Sequence, residues 1–311
     1  MPEKHAAVVS TSLAAPAAPA RSAATAADAV LYIYVPLVWG LNYIVIKAAL
    51  PAFASPLAFN AVRWAFAAAV LLLLVAVRRE RLWVEARDRP RVLALALIGN
   101  ALQQVTFVEG IRLTTAGQAA LFMSLTPVLV AAASAVLGLE RVARVTWAGI
   151  GLSVAGAAAI LHPGAGTLPA AALWGDLLVL ASAGCWAYYT IACRPLTQRY
   201  PPSVVATLPV LPAAAVLVLA GIPALRLQQW SAVGPAAWAG IVYSGGLLIA
   251  LGYVAWSVAI RRIGASRTAA LINLNPVVAL IAAWLLLGER LDAVQAVGAA
   301  LVIGGVALTR R

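Results

Sequence analysis

The sequence predicts an all-α integral membrane protein with ten transmembrane helices in two inverted five-helix repeats. Three observations carry this. Hydrophobic residues make up 64% of the 311, charged residues only 10%, and mean hydropathy is +0.95. A soluble domain carries about 25% charged residues, so this chain has too little polar surface to face water. Ten apolar stretches succeed one another, each near the roughly 20 residues that cross a hydrocarbon core. Finally, Ala120–Arg141 (ALFMSLTPVLVAAASAVLGLER) returns without a gap as Ala269–Arg290 (AALINLNPVVALIAAWLLLGER), aligning Pro127 with Pro276, Glu140 with Glu289 and Arg141 with Arg290. The same spacing aligns Arg112 with Arg261, Gly149 with Gly298 and Gly156 with Gly305.

In chain order, residues 1–28 are rich in Ala, Pro, Ser and Thr and read as a disordered tail. Pro16 and Pro19 interrupt the apolar run Ala6–Ala20, so it makes a poor signal peptide and the first span is expected to stay as an uncleaved anchor. The predicted spans are 29–49, 56–77, 91–111, 115–137 and 142–161, then 172–193, 203–221, 235–260, 268–287 and 291–309. Backbone groups in lipid must bond internally, which makes these spans helices. Residues 29–161 form the first repeat and 172–309 the second, joined by a short Gly/Pro loop, His162–Ala171. Five is odd, so the second copy enters the membrane from the opposite side.

Charge placement agrees with inversion. With the N-terminus inside, all but five of the 22 Lys and Arg residues fall on the inner side. The exceptions are Arg112, Arg226 and Arg290 in outer loops, and Lys47 and Arg63 within or at the edge of spans. This positive-inside bias puts both termini in the cytoplasm. The net charge of +12 therefore reflects topology rather than nucleic-acid binding. Cys185 and Cys193 share one span and read as packing residues. His5 and His162 lack ligand-type neighbours, so neither a metal nor a cofactor is expected.

A polar residue, an apolar one, Thr or Asn, then Pro127 or Pro276, with Leu-Gly-Glu-Arg at a fixed distance, resembles the EamA domain, found twice in ten-helix members of the drug/metabolite transporter superfamily. The first copy departs from it, reading Val-Leu-Gly-Leu-Glu-Arg. Trp39-Gly40-Leu41-Asn42-Tyr43, answered by Trp186-Ala187-Tyr188-Tyr189, is similar to the family's opening motif. A spacing of 147 then aligns Lys47 with Arg194. The resemblance implies a bacterial inner-membrane permease, often an exporter of amino acids or other small metabolites. It also implies a central cavity lined mainly by the first, third, fourth, sixth, eighth and ninth helices.

Those spans offer specific candidates. Asn100, Gln103, Gln104 and Phe107 keep helical spacing on one face. Amides are costly toward lipid, so this stripe faces either a wet cavity or a neighbouring helix. Trp39, Asn42 and Tyr43 make a similar face in the first span, with Lys47 a turn beyond. Lys47 either attracts a substrate carboxylate or snorkels to the interface, and snorkelling is expected. Ser124 and Thr126 precede Pro127 as Asn273 and Asn275 precede Pro276. Proline frees a backbone carbonyl that side chains or a solute must satisfy, so direct substrate contact and a packing kink are both open. Trp186, Tyr189 and Tyr253 shape the pocket in this reading, while Trp256 belongs either with them or in an interfacial belt. Gly245, Gly246 and Gly252 are candidate hinges. Arg63, inside the second span, is expected to pair with Glu109, the competing pair being Glu109–Arg112. Glu109 points away from the amide stripe and is not given a substrate or proton role. Glycines in the fifth and tenth spans suit close helix packing.

The expected function is a secondary transporter of small polar metabolites, amino acids or related compounds, working by alternating access. No phosphate-binding G-x-x-x-x-G-K-[ST] loop is present to power ATP-driven transport. A drug-efflux or nutrient-import permease of the same fold is the alternative. A membrane enzyme lacks a catalytic set, and buried amide stripes disfavour a scaffold. Expected partners are a small-molecule substrate and the lipid bilayer, with the protein a monomer or homodimer.

Overall fold

The computed structural model describes residues 26–137, 143–160, 170–269, 271–272, 275–289 and 293–308. Its helices are α1 (Ala26–Ala49), α2 (Pro56–Val77), α3 (Ala86–Leu113), α4 (Ala116–Val136) and α5 (Arg144–Ile160). The second set is α6 (Ala170–Arg199), α7 (Pro202–Arg226), α8 (Pro235–Ile263), α9 (Asn275–Leu287) and α10 (Ala293–Leu308). A single turn of helix, Ala265–Ala269, precedes α9. Seven of the ten are long and apolar enough to cross a membrane, while α5, α9 and α10 contain shorter apolar segments. Large apolar side chains such as Leu73, Leu219 and Leu286 lie on the outside, as a lipid-facing surface requires.

Local sequence sets several boundaries. Ser55 accepts a bond from the Ala58 N–H at 3.2 Å and Pro56 fills the first turn, so α2 starts there. Thr115 caps α4 by accepting from Gln118 N–H at 3.1 Å. Pro276 lacks an N–H and sits in the first turn of α9, so that helix is shorter than its apolar stretch, 268–287. Gly264 and Gly288, with φ of 83° and 68°, end α8 and α9 in a left-handed conformation that glycine tolerates best.

Helix contacts obey an exchange of the two halves. The most extensive are α3 with α6, α5 with α10 and α2 with α7, the last two each pairing an element with its own counterpart. The contact of α3 with α6 is matched by α8 with α1, and α1 with α9 by α6 with α4. The glycines carry this to atomic detail. A methyl group added at Gly156 lies 2.6 Å from the Gly298 carbonyl oxygen, and one at Gly305 lies 2.6 Å from that of Gly149. Since 149 aligns with 298 and 156 with 305, these two contacts are one contact repeated by the pseudo-two-fold axis.

Peripheral ties cross between the halves at both ends. The Asp88 carboxylate accepts from Arg199 at 2.5 Å and from the Tyr200 hydroxyl at 2.7 Å, and Ser203 donates to Glu80. At the other end Gln228 accepts from Ala54 N–H at 2.6 Å and donates to Ala52 O at 3.2 Å.

Both α3 and α8 contain widened, π-type turns, over Leu95–Leu102 and Val242–Leu251. These segments are equivalent in the two repeats. Such turns insert extra residues per turn and rotate the helix face beyond them, and they recur at functional sites.

Candidate functional site

A small cavity lies where the halves meet, lined by Trp39, Asn42 and Tyr43 of α1, Gln103, Gln104 and Phe107 of α3, Met123 of α4, Trp186 of α6, and Leu248 and Tyr253 of α8. Its volume is about 40 Å³, room for one or two waters. Ligand pockets usually exceed roughly 300 Å³, so the cavity in this conformation is too small to hold one.

An aromatic cluster forms its floor. Trp39 stacks on Trp256 at 4.9 Å and meets Trp186 edge-on at 5.2 Å. Trp186 stacks on Tyr189 at 4.8 Å and packs against Tyr253 at 5.2 Å, while Tyr43 meets Phe107 edge-on at 5.6 Å. Trp256 is fully buried in this cluster and is no part of an interfacial belt.

A directed chain of hydrogen bonds forms one wall. Arg63 Nη2 donates to Asn60 Oδ1 at 2.7 Å and to Gln104 Oε1. Gln104 Nε2 donates to Gln103 Oε1 at 2.6 Å, and Gln103 Nε2 donates to Ser182 Oγ of α6 at 2.8 Å. Asn60 Nδ2 holds the Gln104 carbonyl at 3.0 Å. The expected Arg63–Glu109 pair does not form. Glu109 instead accepts from Arg112 Nε at 3.0 Å, one turn along the same helix. The reason is depth and facing: Arg63 points inward to the amides, while Glu109 and Arg112 remain partly exposed at the helix end.

The other expected site residues are spread around this wall and floor. Asn100 is buried but does not line the cavity, and both its amide atoms lack partners among the described residues. The π-type segment separates it from Gln103, whose N–H reaches back to Ile98 O as well as Asn100 O, so the helical spacing breaks there. Tyr189 sits behind Trp186 and against Gly99. Thr126 donates to Met123 O at 2.7 Å and Ser124 to Leu121 O at 2.6 Å, so these hydroxyls satisfy carbonyls at the break in α4. Asn275 is buried beside Gly40 of α1, its amide without a partner among the described residues, and Asn273 lies outside them. Gly245 and Gly252 are close-packing points: an added methyl lies 2.8 Å from Arg63 O and 3.0 Å from Trp39 Nε1 respectively. Met123 and Leu248 also line the cavity, and no feature of the sequence marks them for it.

Above the cavity, one turn beyond Tyr43, two helix ends are held by opposite charges. Lys47 Nζ donates to Ile111 O at 2.8 Å and to Thr114 O, at the negative C-terminal end of α3. Lys47 is thus tied to backbone carbonyls of the neighbouring helix. The Glu289 carboxylate accepts from Ala116 N–H at 3.0 Å and Gly117 N–H at 3.1 Å, at the positive start of α4. Glu289 reaches there because Gly288 turns the chain at the end of α9. Nearby, Thr114 donates to Asp176 Oδ1 at 2.5 Å, tying this corner to α6. The two halves are thus latched together at this end. Among the described residues no three His, Cys, Asp or Glu side chains gather to hold a metal, and Cys185 and Cys193 are free.

Comparison with known proteins agrees with this architecture. The family model described as "EamA-like transporter family" matches twice, over residues 28–162 and 173–311. The "Probable terminal-alkyne amino-acid exporter" of Streptantibioticus cattleyicolor is 34% identical over 235 residues, 76% of each chain. The "Probable amino-acid metabolite efflux pump" of Salmonella typhimurium is 29% identical, covering 90% of this chain and 93% of its own. A solved crystal structure aligns over 90% of this chain and 94% of its own with a TM-score of 0.66 at 20% identity, which establishes the shared fold. Two family matches laid end to end, on two halves that trade contacts about one axis, make this chain a multi-pass member of the EamA-like transporter family.

Proposed function

We propose that this protein exports amino acids or close derivatives across the cytoplasmic membrane by alternating access at the central cavity. The observation that carries the reading is a cavity of three amides and five aromatic rings, built by both halves. Neutral amides suit a zwitterion, and ring faces suit an ammonium group or an apolar side chain. Two relatives whose names speak of amino acids support the same class. The repeats, taken as 29–161 and 172–309, are the halves that rock.

The positive-inside bias sets both termini in the cytoplasm and the Lys47–Glu289 latch on the outer side. The conformation described is then closed outward, with its seat collapsed. Exchange of the repeats supplies the opposite state. There Arg194, the counterpart of Lys47, takes the end of α8; the counterpart of Glu289 is Glu140. Glu140 itself lies outside the described residues.

Counterflow in proteoliposomes tests this. Vesicles preloaded with unlabelled amino acid accumulate the labelled form only where the purified protein is present. Exchange of lipophilic drugs with no amino-acid exchange overturns the substrate class in favour of drug efflux.

A further inference from the structure

Arg63 is fully buried within α2, and no carboxylate among the described residues pairs with it. The Phe59 ring lies 5.1 Å from its guanidinium carbon, the Tyr253 hydroxyl is near enough to interact with its charge, and its Nε lacks a partner among the described residues. An uncompensated charge at such a depth is costly unless something answers it.

Its orientation fixes that of the cavity wall. A guanidinium only donates, so the Gln104 atom facing it must be the oxygen. Gln104 Nε2 is thereby turned toward Gln103, and Gln103 Nε2 toward Ser182. Both amide oxygens are occupied, Gln104 Nε2 also donates to the Tyr253 hydroxyl, and Gln103 Nε2 keeps a second proton without an acceptor among the described residues. Trp186 adds an indole N–H that also lacks one. Against these donors stands one unpartnered acceptor in the lining, Asn42 Oδ1. Trp39 Nε1, also without a partner among the described residues, lies beside Gly252.

We infer that this wall selects solutes carrying a carboxylate, and that Arg63 is the residue that makes it do so. Arg63 touches no solute. It aligns both glutamine dipoles and supplies positive charge behind them, so it is a positioning residue for the anion. The carboxylate lies against Gln103 and Trp186, with Gln104 holding Gln103 in place, and an amino group lies toward Asn42 Oδ1. Charge-assisted hydrogen bonds of this kind are the stronger class. The inference rests on the transport reading above and narrows it.

The test is a counterflow panel of apolar amino acids, their carboxamides, and the amines left by removing the carboxylate. Wild-type protein is expected to exchange the acids about ten- to a hundredfold better than amides or amines, the range for losing one or two bonds to a charged group. Arg63→Gln is expected to erase that preference, and Arg63→Lys to retain part of it. Amides or amines exchanging as well as acids overturns the inference and leaves transport standing. So does an Arg63→Gln variant that weakens all three classes alike, since that is a purely structural effect. Should Arg63→Gln fail to fold, the wild-type panel and Arg63→Lys decide. If nothing in the panel or among neutral control solutes exchanges, the transport reading falls, and this inference with it.

Discussion

Gly156→Val is expected to be the most damaging single substitution in the scaffold, and Gly151→Val, five residues away on the same helix, nearly silent. A methyl at Gly156 meets Gly298 O at 2.6 Å, Val302 N at 2.7 Å and Leu301 Cβ at 2.9 Å. Two of these are backbone atoms of α10 and do not swing aside. The whole α5–α10 contact must separate, and it is among the most extensive between the repeats. Overpacking costs typically about 1–3 kcal/mol, and rigid backbone neighbours put this case at the upper end. At Gly151 nothing lies within 4 Å. Thermal unfolding in detergent, followed by size-exclusion recovery after heating, separates the two variants. Equal midpoints remove the claim that this seam organises the fold.

Glu289→Gln has the next largest expected effect, on conformation rather than on folding. The carboxylate accepts two N–H bonds at the start of α4, where helix dipole and charge add. A glutamine keeps at most one acceptor oxygen and no charge. The loss is about 0.3–2 kcal/mol, enough to shift a two-state latch by as much as about thirtyfold. Among the described residues Lys47 bonds only within the first repeat and reaches the latch through its charge near Glu289, so Lys47→Met is expected to move the equilibrium the same way but less. A reporter cysteine at Ala119, fully buried one turn into α4, makes the shift visible. In a background lacking Cys185 and Cys193, maleimide labels it faster once the latch is released. Unchanged labelling in both variants means that Lys47 and Glu289 only cap helices.

How much of this is legible in the sequence depends on residue contrast. Trp39, Asn42, Tyr43, Gln103, Gln104, Phe107, Trp186 and Tyr253 all line the cavity. Polar and aromatic residues stand out on helical faces in a chain this apolar, so their spacing can be read. Met123 and Leu248 cannot be found that way, because nothing distinguishes them from the many other apolar residues. Regular helical spacing puts Asn100 in the cavity, but the turn widens across Leu95–Leu102 and carries it elsewhere. No local signal in ALALIGNALQQ announces that widening, in a segment that packs against α6 and α7. Arg63 and Lys47 are visible as charges in unusual places, but their partners lie 41 and 64 residues away. Pairing Arg63 with an acid is the reasonable default; the structure gives it amides instead. The Glu289 latch is hidden for a related reason. The repeated Glu-Arg motif marks the residue, while its partners are backbone N–H groups that carry no sequence signature.

Sidedness tests the central claim most directly. In the same cysteine-free background, Trp83→Cys probes the loop between α2 and α3, and Leu227→Cys the equivalent loop between α7 and α8, both well exposed. Whole cells are treated with a membrane-impermeant maleimide, before and after permeabilisation. Two oppositely inserted modules predict labelling of Leu227→Cys in intact cells and of Trp83→Cys only once the membrane is opened. If both sites react from the same side, the halves are not inverted, and the exchange of latches has no structural basis.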